Sequence, residues 1–175
     1  MNDVMCSTVA STLDELELHY KQEGELFTFT IGDDVADFPI RIVADEEKEL
    51  LVVIGYFPVK VSKANLDKMY KVVNDLNYHT MVGYFVIDSS DGELSFRLAN
   101  NVDDGAINDA IVRACFFQVL SRLPSSITTR RESVPYFSTT GYQSSTTCLI
   151  LSCSLYAGIT INNLSAILDL LIRTG

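Results

Sequence analysis

The chain alternates between two hydrophobic periods, and each period marks an element. Val9, Leu13, Leu16 and Tyr20 recur at helical spacing, with Asp14, Glu15 and Glu17 turned away from them. This predicts a first helix that Gly24 ends. "LFTFTI" (26–31) then switches to period two, with Phe27, Phe29 and Ile31 on one side and Thr28 and Thr30 on the other. After "GDD" (32–34), Phe38, Ile40 and Ile42 alternate with Arg41 and lead into a charged stretch, 45–49, and a second apolar run closed by Pro58. Ser62 is placed to cap a second helix with the stripe Leu66, Met69, Tyr70, Val73 and Leu76 and a stop at Asn77. "MVGYFVID" (81–88) and "ELSFRLA" (93–99) read as two strands around the turn "SSDG" (89–92). A last helix, capped by Asp103 or Asp104, runs to about Leu123, before Pro124. The expected order over residues 8–123 is α-β-β-β-α-β-β-α. Short turns between neighbouring strands make this an α+β fold, a five-stranded antiparallel sheet carrying three helices.

Two segments carry more apolar surface than one buried face requires. Leu50 to Ile54 is apolar without a break, as expected of a central strand covered on both sides. Leu51 and Val53 should then be as buried as Val52 and Ile54, with the first helix, the C-terminal segment or a partner covering the second face. The last helix likewise shows two stripes, one of Ile107, Ile111 and Ala114 and another of Val112, Phe116, Val119 and Leu123. One stripe suffices for a surface helix. The second, Val112, Phe116, Val119 and Leu123, is the expected interface of a homodimer, since a two-fold contact is the commonest way to hide such a patch.

Composition changes after Pro124. Residues 1–123 carry 10 Lys/Arg against 21 Asp/Glu, whereas 124–175 carry 3 against 2. Half of residues 124–147 are Ser or Thr, the composition of a linker. The expected organisation is a domain over 1–123, a Ser/Thr-rich linker over 124–147 and an apolar segment over 148–175. The run "CLILSCSLYAGITI" (148–161) ends at Asn162, short of the ~20 residues a spanning helix needs, so a membrane partner is not expected. A packed extension remains open for it. So does out-of-frame translation after a genuine domain, which the loss of acidity favours and the coding DNA would decide.

A net charge of −10 excludes nucleic acid as an expected partner, because phosphates call for clustered Lys and Arg. No basic, apolar leader opens the chain. Cys6, Cys115, Cys148 and Cys153 form no CxxC pair, so free thiols in a cytoplasmic setting are expected. His19 and His79 lie near no cysteine, and no zinc set converges.

Candidate chemistry is sparse. "NNVDDG" (100–105) resembles a calcium loop, but Val102 and Ile111 stand where oxygen ligands belong. It reads as a strand exit and helix cap. Asp33, Asp34 and Asp37 sit in a turn that keeps carboxylates solvated, so they are not expected to act as an acid–base pair. Glu46, Glu47 and Glu49 read as a charged hairpin tip, His79 and His19 as surface or capping residues, and Cys115 as a buried, inert thiol. No nucleophile elbow or phosphate loop is present. The expectation is a non-enzyme without cofactor or metal.

"FPIRIVADEEKELLVVIGYFPVKV", "VVNDLNYHTMVGYFVIDSSDGELSFRLA" and "DGAINDAIVRACF", with the Asn77–Tyr78 pair before the strand and the "DGELSFR" return, resemble the YbjN family. That family is bacterial, is described as regulators of sensory transduction, and is similar in fold to class I type III secretion chaperones. The resemblance spans residues 8–123. It implies protein binding, often as a homodimer, and offers no catalytic residues to carry over. The expected function is therefore a chaperone-like or regulatory module holding a partner polypeptide on an apolar surface. A ligand-sensing dimer is the alternative, and an enzyme of unknown type the more distant one.

Overall fold

In the computed structural model, the structure describes residues 4–32, 36–102 and 106–123. The expected linker 124–147, the segment 148–175 and the carboxylates of Asp33, Asp34, Asp103 and Asp104 lie outside the described residues. The elements are α1 (Val4–Glu15), β1 (Lys21–Glu23), β2 (Leu26–Gly32), β3 (Asp37–Asp45), β4 (Leu50–Lys60), α2 (Leu66–Tyr78, entered through a single 3-10 turn, Lys63–Asn65), β5 (Tyr84–Ile87), β6 (Glu93–Asn101) and α3 (Asp109–Leu120). All strand pairings are antiparallel, in the order β1-β2-β3-β4-β6-β5. Among the described residues the fold is α+β with three helices, as expected, and the sheet has six strands instead of five.

The sixth strand comes out of the predicted first helix. That helix stops at Glu15, because Glu17 adopts a left-handed conformation (φ 55°). The Leu18 N–H then donates to the Leu13 carbonyl (3.0 Å) and the Glu17 N–H to that of Asp14 (2.9 Å). This pair of bonds is the Schellman closure of a helix. The chain it releases pairs as β1, and Gly24 (φ 60°) forms the β1–β2 turn instead of the helix end. Tyr20 still reaches the core, with its ring 5.5 Å from that of Phe27. At the far end of α2, Gly83 (φ 77°) delays β5 to Tyr84. Met81 and Val82, expected within the strand, are therefore exposed.

The inward face of the sheet is read off its register. Phe27, Ile42, Val53 and Leu98 form one row, and Phe29, Ile40, Gly55, Phe96 and Phe85 the next. The buried residues of α1, α2 and α3 join these side chains in one cluster. Gly55 is the point of closest approach. A Cβ there would lie 2.8 Å from Val119 Cγ1 and 3.1 Å from Leu123 Cδ1, so only glycine admits α3 at this depth. Phe116 meets Phe29 edge-on at 5.7 Å. The stripe Val112, Phe116, Val119 and Leu123, expected to face a second copy, is thus spent on the chain's own sheet. It is the other stripe that reaches solvent, with Ile111 half-buried and Ala114 exposed, while Ile107 is buried.

Polar side chains fix the helix ends. Asn108 caps α3, its Oδ1 accepting from the Ile111 N–H at 3.0 Å. Glu46, expected to be a solvated hairpin-tip charge, accepts from the N–H groups of Met5 and Cys6 (2.6 and 3.1 Å). It places a carboxylate on the positive end of α1. Arg113 donates Nε to both oxygens of Asp109 (2.8 Å each) and Nη2 to Glu15 (2.7 Å), tying α3 to α1.

Arg113 holds the Asp109 carboxyl below the usual Asp range. A carboxyl depressed in the folded state stabilises above its unfolded pKa, and that stabilisation is lost as pH falls through the folded value. Asp109→Asn should therefore lower the melting temperature slightly at neutral pH. The deficit should close as pH drops below ~3.9. Melting curves of both proteins from neutral pH to pH ~3 check this; a deficit independent of pH would assign the effect to packing.

Candidate protein-binding surface

Among the described residues, no three His, Cys, Asp or Glu side chains gather to hold a metal. Cys115 is buried, and burial pushes its thiol pKa up, as an inert core cysteine requires. Cys6 is likewise buried, with its Sγ 3.9 Å from the Ala44 carbonyl oxygen. His19 is exposed, and His79 closes α2 with Nε2 3.8 Å from Asp75 Oδ1. Asp37 is exposed at the start of β3, consistent with a solvated carboxylate. Of the suspected calcium loop, Asn100 and Asn101 belong to β6 and Val102 is buried. No helix among the described residues is long and apolar enough to cross a membrane.

Among the described residues, the exposed large apolar side chains other than Val4 all fall between Tyr70 and Tyr84 in sequence. Tyr70, Tyr78, Met81, Val82 and Tyr84 are all exposed, Tyr78 at 83% and Met81 at 98%. They lie on α2, on the link that follows it and at the start of the edge strand β5. Tyr70 was expected on the buried stripe of α2, but Met69, Val73 and Leu76 fill the core contact and leave it outside. Asn77, expected to stop α2, does something more specific. Its Nδ2 donates to the Phe85 carbonyl (3.0 Å), and its Oδ1 accepts from the Phe85 N–H (2.7 Å).

This two-way clamp occupies backbone groups of an edge strand that would otherwise invite pairing. The corner is therefore suited to contact through side chains. Asn77→Ala removes both bonds and should cost about 1–3 kcal/mol. The checks are the denaturation midpoint and faster hydrogen exchange at the Phe85 amide. An unchanged midpoint would mean that water replaces the side chain without loss.

The corner continues onto the outward face of the sheet. Register places Thr28, Arg41, Ile54, Arg97 and Tyr84 in one row across five strands. Val43 and Val52 pair beside this row, and Tyr56 and Ser95 pair on its other side. Val43, Val52, Ile54 and Val86 are half-buried and do not belong to the core cluster. Leu51 and Val53, by contrast, are fully buried. The expectation that both faces of β4 are equally buried is corrected accordingly: all three helices bury their apolar residues in the cluster on the inward face, and the second face of β4 stays partly open.

Arg41 lies over the Tyr56 ring, 4.9 Å from its centroid, and its Nη1 donates to the Tyr56 hydroxyl at 3.1 Å. Arg97 Nε approaches Ser95 Oγ at 3.4 Å. Neither arginine has a carboxylate within ion-pair distance among the described residues.

A family model, YbjN, described as "Putative bacterial sensory transduction regulator", matches residues 6–123. Among solved structures, the chain is similar to one in the HopA1–SchA chaperone–effector complex. That match has 12% identity and a TM-score of 0.44, and covers 62% of this chain and 80% of the other. It is similar also to YbjN from E. coli, "a putative transcription regulator", at 11% identity and a TM-score of 0.47, covering 62% and 81%. No curated protein sequence matches.

Proposed function

Because the chain belongs to the YbjN family through residues 6–123, a family described in terms of regulation and not of a reaction, we propose that it is a non-enzymatic protein-binding module. It works as a homodimer that holds a partner polypeptide on an apolar surface. The observation that carries this reading is the apolar exposure of Tyr78, Met81, Val82 and Tyr84 at the corner, next to an outward sheet face where Val43, Val52, Ile54 and Val86 are only half-buried. Contiguous apolar patches rimmed by polar groups mark interaction sites, whereas scattered apolar residues do not.

The two parts of the surface suit different contacts. The corner offers large, flat side chains on a convex edge whose backbone is already clamped by Asn77. A second copy placed about a two-fold axis would cover Tyr78, Met81 and Val82 on both chains at once. The outward sheet face is broader and mixed in character, and it is left for the partner.

Light scattering on the full chain at tens of micromolar should give the mass of two chains. Tyr78→Lys with Met81→Lys should give one chain that still unfolds cooperatively, with a melting temperature that no longer depends on protein concentration, since neither side chain belongs to the core. A wild-type mass of one chain overturns the dimer. Affinity purification from the native cell tests the rest. A stoichiometric polypeptide supports the binding module, and a co-purifying metabolite in its place points to a ligand sensor.

A further inference from the structure

We propose that the outward sheet face recognises an acidic, apolar polypeptide segment, with Arg41 and Arg97 taking its carboxylates on either side of an aliphatic residue seated over Ile54. This rests on the protein-binding reading above and adds to it the chemistry of the partner.

Charge carries the argument. Residues 1–123 are strongly acidic, yet every charged side chain in this row is a cation: Arg41, Arg97 and, at its β1 end, Lys21. Most of the other charges nearby are already matched. On the same face, Lys21 pairs with Glu23 and Asp45 with Lys48, and at its β5–β6 end Lys60 pairs with Asp91. Asp88 feels Arg97 only through space, as the smallest of the influences on it. Arg41 and Arg97 keep their capacity for bidentate carboxylate bonds. They are also braced, Arg41 against the Tyr56 ring and hydroxyl and Arg97 beside Ser95, so less side-chain entropy is lost on binding. Their Cα atoms stand two strand spacings apart, about 10 Å. Between them lies Ile54, with Val43 and Val52 alongside.

The same charges argue against the other occupants. Two copies stacked face to face would set arginine rows against each other, which like-charge repulsion opposes. Residues 124–175 hold only two acidic side chains, Glu132 and Asp169, far apart in sequence, so the chain's own C-terminal segment cannot set a carboxylate on each side of one apolar residue. Nucleic acid would need a run of cations, where this face has only Arg41 and Arg97 without a carboxylate partner among the described residues, and it would leave the aliphatic centre without a partner.

The test is fluorescence anisotropy of the full chain with short labelled peptides alternating isoleucine with glutamate, glutamine or lysine, and with an oligothymidylate. The glutamate peptide should bind about tenfold or more tightly than the glutamine peptide. Arg41→Glu with Arg97→Glu should abolish that preference in a protein that still unfolds cooperatively, and the Arg41→Lys, Arg97→Lys pair should retain part of it. Equal binding of the glutamate and glutamine peptides overturns the inference and leaves the binding module standing. So does glutamate binding that the charge reversal does not weaken. No saturable binding of the glutamate peptide overturns it as well. Oligothymidylate binding lost on charge reversal would reassign the arginines to phosphate and overturn the peptide. Dimer formation through the corner is read separately, so the two proposals fail independently.

Discussion

Val53→Asp should abolish cooperative unfolding, whereas Ile54→Asp, one residue on, should leave the melting temperature within a few degrees. Val53 is fully buried between Ile42 and Leu98 on the inward face. A carboxyl placed there finds no cation in the row and must either be buried charged or be held neutral. Either route costs several kcal/mol, against a typical total stability of ~5–15 kcal/mol. Ile54 sits on the outward face, half-buried, directly between Arg41 and Arg97. A carboxylate there gains two cations in place of an apolar contact. It should also compete with the acidic peptide for the arginines. Thermal melts followed by circular dichroism read both variants. Equal damage from the two would show the outward face to be covered in solution.

The double change Val112→Glu, Phe116→Glu should give an unfolded or aggregated protein, not a folded monomer. Both side chains lie in the core, Phe116 against Phe29. Truncating a buried phenylalanine alone costs about 3–5 kcal/mol, and two buried carboxylates add their desolvation. Loss of the near-ultraviolet signal together with light-scattering aggregates would agree. A soluble, folded single chain would mean that α3 turns this stripe outward.

Strand identity was legible in the sequence because period two is a local property. The alternation in "LFTFTI" and "ELSFRLA" specifies an inward face wherever the strand ends up. The inward positions Phe27 and Ile42 are those the pattern named, whereas the unbroken run Leu50–Ile54 gave no period to single out Val53. The buried state of Cys115 was legible for the same reason, since its neighbours on a helix are set by spacing alone. Other features depended on which surfaces meet. Glu46 caps α1 from 40 positions away in sequence, and no local signal marks a glutamate on a hairpin tip as a helix cap. The sixth strand depended on Glu17 turning left-handed, which the helical stripe running on to Tyr20 concealed.

The largest divergence concerns the two segments with surplus apolar surface. Leu50–Ile54 and α3 posed the same puzzle in sequence, and tertiary structure resolved them in opposite directions. Gly55 lets α3 sink onto the sheet until Val119 and Leu123 touch the strand, so its surplus stripe is buried within the chain. Among the described residues no helix packs on the outward side of β4, because α1, α2 and α3 all join the cluster on the inward face. Its Val52 and Ile54 stay half-buried, Ile54 between two arginines and Val52 beside them. Periodicity says that a side chain belongs with others of its kind. Only the docking of helices on one face of a sheet decides whether those others come from the same chain or from a partner.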